Sequence, residues 1–461
     1  MKEQSKKSEI ILGIPLSRDY ESLSDKSGKA RFYGIDSLKI NNRPGKRLIT
    51  PALGNENVAY SGDGHLMTIA PTGSGKGRGV IIPNLLTYEG SVFVIDPKGE
   101  NYKVTSERRK KMGQDVYVLD PFRVMTEKSD SLNPLDIFNL NNSDVETDSQ
   151  MIADLLSGDN ASTKEPFWDI NAKGLLSGLI TYLADPDPDE TDKKPRSLRS
   201  IKELLMDGDS VYNLAVILDE SNKRKKEGKR GINEMSYLEI GSFTSLAEVT
   251  RTGILSTANS YTKSFSSERV SETLDKSSFS LQDIVDGEKA ITIYIIIPPD
   301  KLKSHRSLLK LWVGTLLKAI SSRKKIPKKR TLFILDECGQ LGTFPFLETA
   351  ITLLRGYGLQ TWTFWQDLSQ LKKLYEIEWS TMVNNCAVLQ IFGTNNYRVA
   401  SEFSEMIGVD TDQVSSVRKS DQILLLDGEE LIKTKRFDYL SNSEFRGLYA
   451  PNPFYEGIKP K

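Results

Sequence analysis

Only two cysteines, Cys338 and Cys386, and two histidines, His65 and His305, occur in the 461 residues. So few thiols exclude a disulfide framework and a thiolate metal site, and they point to a reducing compartment. Two distant histidines leave little room for a His-rich zinc centre. Net charge is also missing, because Lys+Arg and Asp+Glu both count 62. A nucleic-acid coat or a polybasic membrane anchor is thereby excluded as the main identity. Any contact with DNA must come from local patches or an assembled ring. Long hydrophobic runs are absent as well. The most apolar run, Ala290–Pro299, is about half of the ~20 residues that a spanning helix needs. The stretch Met1–Ile10 is polar, with no signal-peptide core behind it. The expectation is a soluble, cytosolic chain.

What is present is enough for a large core. Hydrophobic residues make up 38% and charged residues 27%, which argues against global disorder. At ~100–200 residues per domain, the length predicts two to four domains, or one large α/β core with an insertion. Alternation sharpens from His65 onward. Strands are predicted at His65–Ala70, Ser91–Asp96 and Asp115–Asp120, with helices starting near Gly79 and running through Glu107–Met112. Continuous apolar strands separated by helices imply a parallel sheet covered on both faces. From about Asn141 to Ile284 the strand signal vanishes, and helices are predicted at Asp148–Leu156, Ala172–Ala184, Ser197–Leu205 and Tyr237–Thr262. Two hydrophilic breaks, Asp185–Arg196 and Asn222–Arg230, interrupt them. Strands return at Ala290–Pro298, Arg330–Glu337, Leu359–Gln366 and Ala387–Thr394, with helices at Lys301–Arg323, Pro345–Gly356 and Tyr397–Ile407. Ile423–Tyr439 alternates around Asp427–Gly428 and predicts a β-hairpin. Ile10–Ile14 and Arg47–Ile49 are candidate edge strands. The division expected is an N-terminal segment 1–64, a nucleotide-binding domain 65–140 plus 285–461, and an inserted all-helical domain 141–284.

The chemistry concentrates at strand ends. Thr72, Gly73, Ser74, Gly75, Lys76 and Gly77 lie between a strand and a helix, where a phosphate-binding loop belongs. Backbone N–H groups and the helix N-terminus face the phosphates, glycines let the backbone approach, and the lysine reaches the β/γ oxygens. Ala70 stands where the G-x-x-x-x-G-K-[ST] pattern has its first Gly, and Gly77 where it has the Mg²⁺-binding hydroxyl. Leu332–Leu335 then ends in Asp336 and Glu337. Carboxylates there suit Mg²⁺ for Asp336 and polarisation of the attacking water for Glu337. Gln366 closes the next strand and either reads the γ-phosphate or water, or caps the helix starting at Asp367. Arg355 is either a charge at a helix C-terminus or an arginine finger for a neighbouring subunit. The basic runs Arg108–Lys111, Lys223–Arg230 and Lys324–Arg330 read as solvated faces, with DNA or anionic lipid as the alternative. Cys338 reads as a packed small residue.

Several segments together resemble the type IV secretion coupling proteins, the TraG-like conjugative DNA-transfer ATPases. They are Ala70–Leu86, Asp96–Glu100 (D-P-K-G-E), Pro166–Asp169, Ala290–Asp300, Leu335–Gly342, Gly356–Leu371, Phe392–Asn395 and Gly447–Phe454. The resemblance spans nearly the whole chain from His65, and Gly77 is itself common in that family. It implies a RecA-like P-loop NTPase core with an inserted all-α domain. It also implies ATP and Mg²⁺ as cofactors, and a homo-hexamer with nucleotide at the subunit interfaces. The implied task is ATP-driven delivery of DNA with its relaxase, or of effector proteins, to a type IV secretion channel. This sequence departs from the family in showing no N-terminal transmembrane helices and a shorter segment between Ile407 and Ile423. The expectation is therefore recruitment by separate inner-membrane components. Two other readings stand beside it: a nucleotide-gated docking receptor with little hydrolysis, motivated by Gly77, and a cytosolic DNA-pumping motor unconnected with secretion.

Overall fold

The computed structural model describes residues 9–14, 58–157, 166–185, 195–206, 208–394, 396–452 and 454–455. The predicted strand Arg47–Ile49 and most of the loop Asp185–Arg196 lie outside them. The strands in chain order are β1 (Ile10–Gly13), β2 (Val58–Tyr60), β3 (His65–Ile69), β4 (Val92–Ile95), β5 (Asp115–Leu119), β6 (Ile291–Ile295), β7 (Thr331–Leu335), β8 (Leu359–Trp365), β9 (Cys386–Phe392), β10 (Asp421–Leu426) and β11 (Glu430–Lys435). Residues cluster into two units, Met1–Tyr117 with Gly287–Ile295 and Lys325–Lys461, and Val118–Asp286 with Ile296–Lys324.

In the first unit the sheet order is β11-β10-β9-β3-β8-β7-β4-β6-β5. Pairing is parallel through the centre, β9-β3-β8-β7-β4-β6, and antiparallel only where the β10–β11 hairpin is added at one edge. Each of β3, β4, β6, β7 and β8 is buried along its whole length, as continuous apolar strands require. A ladder of buried side-chain hydrogen bonds crosses β8, β3, β9, β10 and β11. Trp362 Nε1 donates to Thr68 Oγ1 (2.8 Å), which donates to Gln390 Oε1 (2.6 Å). Gln390 Nε2 donates to Gln422 Oε1 (2.8 Å), and Gln422 Nε2 to Thr434 Oγ1 (2.9 Å). Slipping any strand by one residue would break a link and bury unpaired amides, at about 1–3 kcal/mol each, so the register is fixed from β8 to β11.

Past β11 the chain crosses the helix Ile82–Thr87. Phe437, Tyr439 and Phe445 pack with Ile82, Leu86 and Val104, and Ile11 and Ile14 close the same cluster. Pro83 has no N–H to donate, and just before it the helix widens into a π turn over Gly77–Ile81. Gly79 lets this crossing approach closely, since a Cβ there would sit 3.0 Å from the Phe437 carbonyl oxygen and push the crossing chain outward by a few tenths of an ångström.

The second unit is helical. Its bounds differ from the 141–284 read from the sequence, because the helix Arg306–Ser321 packs on Val145–Ser157. There Lys318 pairs with Asp148, and Trp312 Nε1 donates to the Leu132 carbonyl at 3.1 Å. The predicted helix Tyr237–Thr262 is two helices, Glu234–Ser245 and Glu248–Thr262. The Thr244 and Ser245 hydroxyls bond back to the carbonyls of Gly241 and Ser242, and Arg251 takes the Thr244 carbonyl, so the first helix ends with partners for its last turn. The expected break at Asn222–Arg230 begins only after Lys226, because its first half continues the helix Ser210–Lys226. Its basic last turn suits the negative helix C-terminus, with Lys223 on Asp219 (3.2 Å) and Lys225 over the Tyr237 ring.

Candidate nucleotide-binding site

Because β3, β4, β7 and β8 run in parallel, the residues after each of them emerge along one edge of the first unit. After β3 comes the loop 70–77, started by a bond from Ala70 N–H to the Trp365 carbonyl (2.8 Å). Gly73 and Gly75 have φ of 74° and 88°, which only glycine adopts readily. Thr72 and Gly73 stand exposed at the crest, and Lys76 is buried, 7% exposed.

After β7, Glu337 takes a left-handed conformation, φ 59°, which costs a non-glycine residue about 1–3 kcal/mol and is concentrated at functional sites. Its carboxylate joins two of the residues singled out in the sequence. Lys76 Nζ donates to Oε1 (3.1 Å), and Gln366 Nε2 donates to Oε2 (2.8 Å). Gln366 is free to do this because Asp367, not Gln366, caps the following helix by accepting from Gln370 N–H (2.7 Å).

Asp336 is partly buried, and its Oδ1, closed off from solvent, has no hydrogen-bond partner. Burial pushes its carboxyl up to about 6, against the opposing pull of Lys76. A buried carboxylate oxygen left over beside a lysine, at the end of a strand, is the donor that a divalent cation would take. Ser74 Oγ is a second buried orphan in the loop. Gly77 brings no hydroxyl, although a Cβ there would meet nothing within 4 Å.

Two residues at this edge escaped the sequence reading in detail. Asp96, in the D-P-K-G-E segment, follows β4 and is buried, with its carboxyl raised to about 7, chiefly by burial and in part by Asp336. It accepts from Tyr102 N–H (2.8 Å) and Asn101 Nδ2 (3.3 Å), tying the start of the helix Glu100–Lys111 to the site. An acid closing a buried strand was the available signal. The other is Arg436, whose guanidinium donates to the carbonyls of Ser74 and Lys419 and lies 4.4 Å from the Phe392 ring centroid.

Arg355 is not brought to this edge. It precedes β8, at the amino end of the strands, where its side chain is 54% exposed and donates to Asp63 at 2.5 Å. Seven residues of β8 at ~3.3 Å each separate it from Gln366 by about 20 Å. Of the basic runs, Arg108–Lys111 is not wholly solvated. Arg109 is buried and gives its protons to the Leu85, Tyr88 and Gly90 carbonyls and to Thr292 Oγ1, closing the end of the helix Ile82–Thr87. Cys338 is fully buried, and burial pushes its thiol well up, as a packed residue requires. Among the described residues no group of three or more His, Cys, Asp and Glu side chains could hold a metal ion by itself.

The model of one protein family, described as Type IV secretory system Conjugative DNA transfer, matches residues 30–446. The chain belongs to that family. A relative in it, the conjugal transfer protein TraG of Escherichia coli, is 25% identical over 374 residues, covering 77% of this chain and 56% of TraG. The type IV secretion system-coupling protein VirD4 of Bartonella henselae is 26% identical over 403 residues, covering 86% of this chain and 60% of VirD4. The chain thus spans between 56% and 60% of the length of these relatives. Among solved structures, the plasmid coupling protein TrwB in complex with a non-hydrolysable ATP analogue superposes with a TM-score of 0.62 at 17% identity, over 93% of this chain and 96% of TrwB. TrwB with ADP and Mg²⁺ gives 0.59 at 17% identity, over 81% of this chain and 85% of that one. The shared fold is the α/β, RecA-like one. Among the described residues no helix is long and apolar enough to cross a membrane.

Proposed function

We propose that this chain binds ATP with Mg²⁺ on the loop 73–77 and hydrolyses it to drive DNA with its relaxase, or effector proteins, into a type IV secretion channel. The observation that carries the reading is the single carboxylate of Glu337 held at once by Lys76 and Gln366. The three side chains come from three separate strand ends, and such a convergence is what positioning of a hydrolytic water needs.

Asp336 would hold the cation, and its orphaned buried oxygen is the structural ground for that. When bound, Mg²⁺ neutralises charge on the phosphate oxygens. The arriving phosphates compete with Glu337 for the Lys76 ammonium. Once Lys76 turns to them, Glu337 is released to accept a proton from water, while Gln366 keeps it oriented. A homo-hexamer is part of the proposal. Arg355 lies too far from its own Gln366 to serve that site, so its role is in the site of a neighbouring copy. Recruitment to the inner membrane would run through separate secretion components, and choice of substrate through the helical unit.

The test is nucleotide binding and turnover of purified protein, with DNA and Mg²⁺ present. Replacing Lys76 by Ala should abolish binding. Glu337→Gln should keep binding and lower turnover by about 10²–10⁴-fold, the usual size of a general-base effect. Turnover by Glu337→Gln at the parent rate would overturn the catalytic assignment. Tight binding without any turnover in the parent would favour a docking receptor, the reading that Gly77 motivates. In cells, both variants should abolish substrate transfer.

A further inference from the structure

We infer that Arg436 is a positioning residue of the nucleotide site, which holds the Ser74–Gly75 peptide so that the Gly75 amide faces the phosphates. The inference rests on the proposed nucleotide reading and concerns how the cradle keeps its shape.

The β10–β11 hairpin takes two antiparallel steps from β9, so β11 points the same way as β3. Its last residues therefore arrive at the edge where the phosphate loop begins. The buried polar ladder that fixes the hairpin's register fixes where Arg436 emerges. From there the guanidinium is held on three sides. It stacks on Phe392, one amino group donates to the Lys419 carbonyl, and the other donates to the Ser74 carbonyl. Its Nε is buried without a partner, and burial lowers the pKa of the group. It nevertheless stays charged at neutral pH, as every arginine does.

Ser74 lies between two glycines of positive φ, and no peptide in the described chain is cis. In a trans peptide the C=O and the N–H point in opposite directions. Drawing the Ser74 carbonyl outward onto the guanidinium therefore turns the Gly75 N–H of the same peptide into the cradle. The peptides on either side are tied within the loop, Ser74 N–H to the Pro71 carbonyl (3.2 Å) and the Gly75 carbonyl to Gly79 N–H (2.8 Å), and Arg436 is the contact on the peptide between them. Glycine is called for at 75 by its φ of 88° rather than by lack of room. Lysine could not replace the group, since two carbonyls in different directions and a flat stack call for a planar fork.

An amide aimed at the middle of the cradle meets the β-phosphate, which ADP and ATP share. The experiment is equilibrium binding of ADP and of ATP, each with Mg²⁺, by titration calorimetry, alongside steady-state turnover. Arg436→Ala should raise the Kd of both nucleotides by the same factor, about 10–100-fold, the worth of a charge-assisted hydrogen bond. Turnover at saturating ATP should stay near the parent value, because the contact is made equally in ground and transition states. Arg436→Lys should not restore affinity. Phe392→Leu, which removes the stacking face and keeps an apolar residue, should shift both Kd values in the same direction by less. It decides the matter if Arg436→Ala fails to fold.

Unchanged Kd values in folded variants would overturn the inference. So would a loss confined to ATP, which would mean a γ-phosphate contact, and so would rescue by Lys, which would mean charge alone. A parent protein that binds neither nucleotide would overturn the nucleotide reading itself. Parent binding matched by Arg436→Ala would overturn only this inference.

Discussion

At the carboxyl ends of β3, β7 and β8, Lys76 is drawn out of water and Asp336 keeps a buried oxygen without a partner; at the amino ends of the same strands, a half-buried Asp63 holds the partly buried Arg330 at 3.0 Å and the exposed Arg355 at 2.5 Å. The chemistry of the two ends is similar, but the solvent is not. A largely exposed pair such as Arg355–Asp63 is worth about 0–1 kcal/mol. Arg355 can leave Asp63 at little cost and serve elsewhere. A buried charge has no such freedom, because parting it from its partner leaves it unpaired in low dielectric at about 3–5 kcal/mol. One end of the sheet thus holds its charges tightly, and at the other the exposed Arg355 is held loosely.

Removing the exposed arginine gives the largest expected break in this contrast. Arg355→Ala should cut turnover by about 10³-fold or more while ATP affinity holds, the size that arginine fingers reach. Mixing it with Glu337→Gln subunits should return part of the activity, because one interface then carries both working halves. Turnover that does not depend on protein concentration, or a defect seen only in thermal stability, would remove the trans role.

A pH titration sharpens the comparison at the amino end. His65 is buried beneath Arg355 and Arg330, and burial, helped by those charges, lowers its pKa from 6.5 to about 4. The imidazole stays neutral in the fold and accepts from Thr361 N–H on Nδ1 (2.9 Å). Below the unfolded value near 6.5 the unfolded chain binds the proton and the folded chain does not. Stability from this group is therefore complete above pH 6.5 and is lost as pH falls toward 4. At pH 5 the loss amounts to about 2 kcal/mol. Melting temperatures of the parent and His65→Asn, compared at pH 7.5 and pH 5, should converge as the parent falls. Parallel curves would show that His65 is not the titrating group.

The smallest expected effect is at Gly77, where a side chain has room and φ is not positive. Gly77→Thr should fold normally and lower the Mg²⁺ concentration for half-maximal turnover by about threefold, well under the tenfold that 1.4 kcal/mol represents. A loss of nucleotide binding in Gly77→Thr would show that the cradle closes on that position.

The parallel strands and their terminal acids were legible because their signals are local. Leu332–Leu335 is apolar without interruption, and the two acids after it are adjacent in sequence. The link between Lys76, Glu337 and Gln366 was legible as three separate strand ends, and the strand order supplied their meeting. What stayed hidden depends on distant partners. Arg436 reads as one more basic residue after a hairpin until β11 is known to lie at the sheet edge pointing the same way as β3. Arg109 reads as part of a solvated run until the carbonyls of Leu85, Tyr88 and Gly90 are found around it. The break at Leu246–Ala247 carries no proline or glycine, and the bonds that close the first helix there, two hydroxyls turned back onto it and an arginine from the next helix, cannot be read from the local sequence.

The crossing of residues 437–449 over the phosphate-loop helix also sets an order of events during synthesis. The cluster beneath that helix draws on Ile11 and Ile14 from the start of the chain and on Phe437, Tyr439 and Phe445 from near its far end. Loops of that length close late, and a ribosome delivers the last members only after everything else has emerged. Until then the helix that carries Lys76 lacks half of its hydrophobic bed, and the Ser74 carbonyl lacks its guanidinium. A chain cut before Phe437 should therefore raise most of the sheet while leaving the phosphate loop without half of its support.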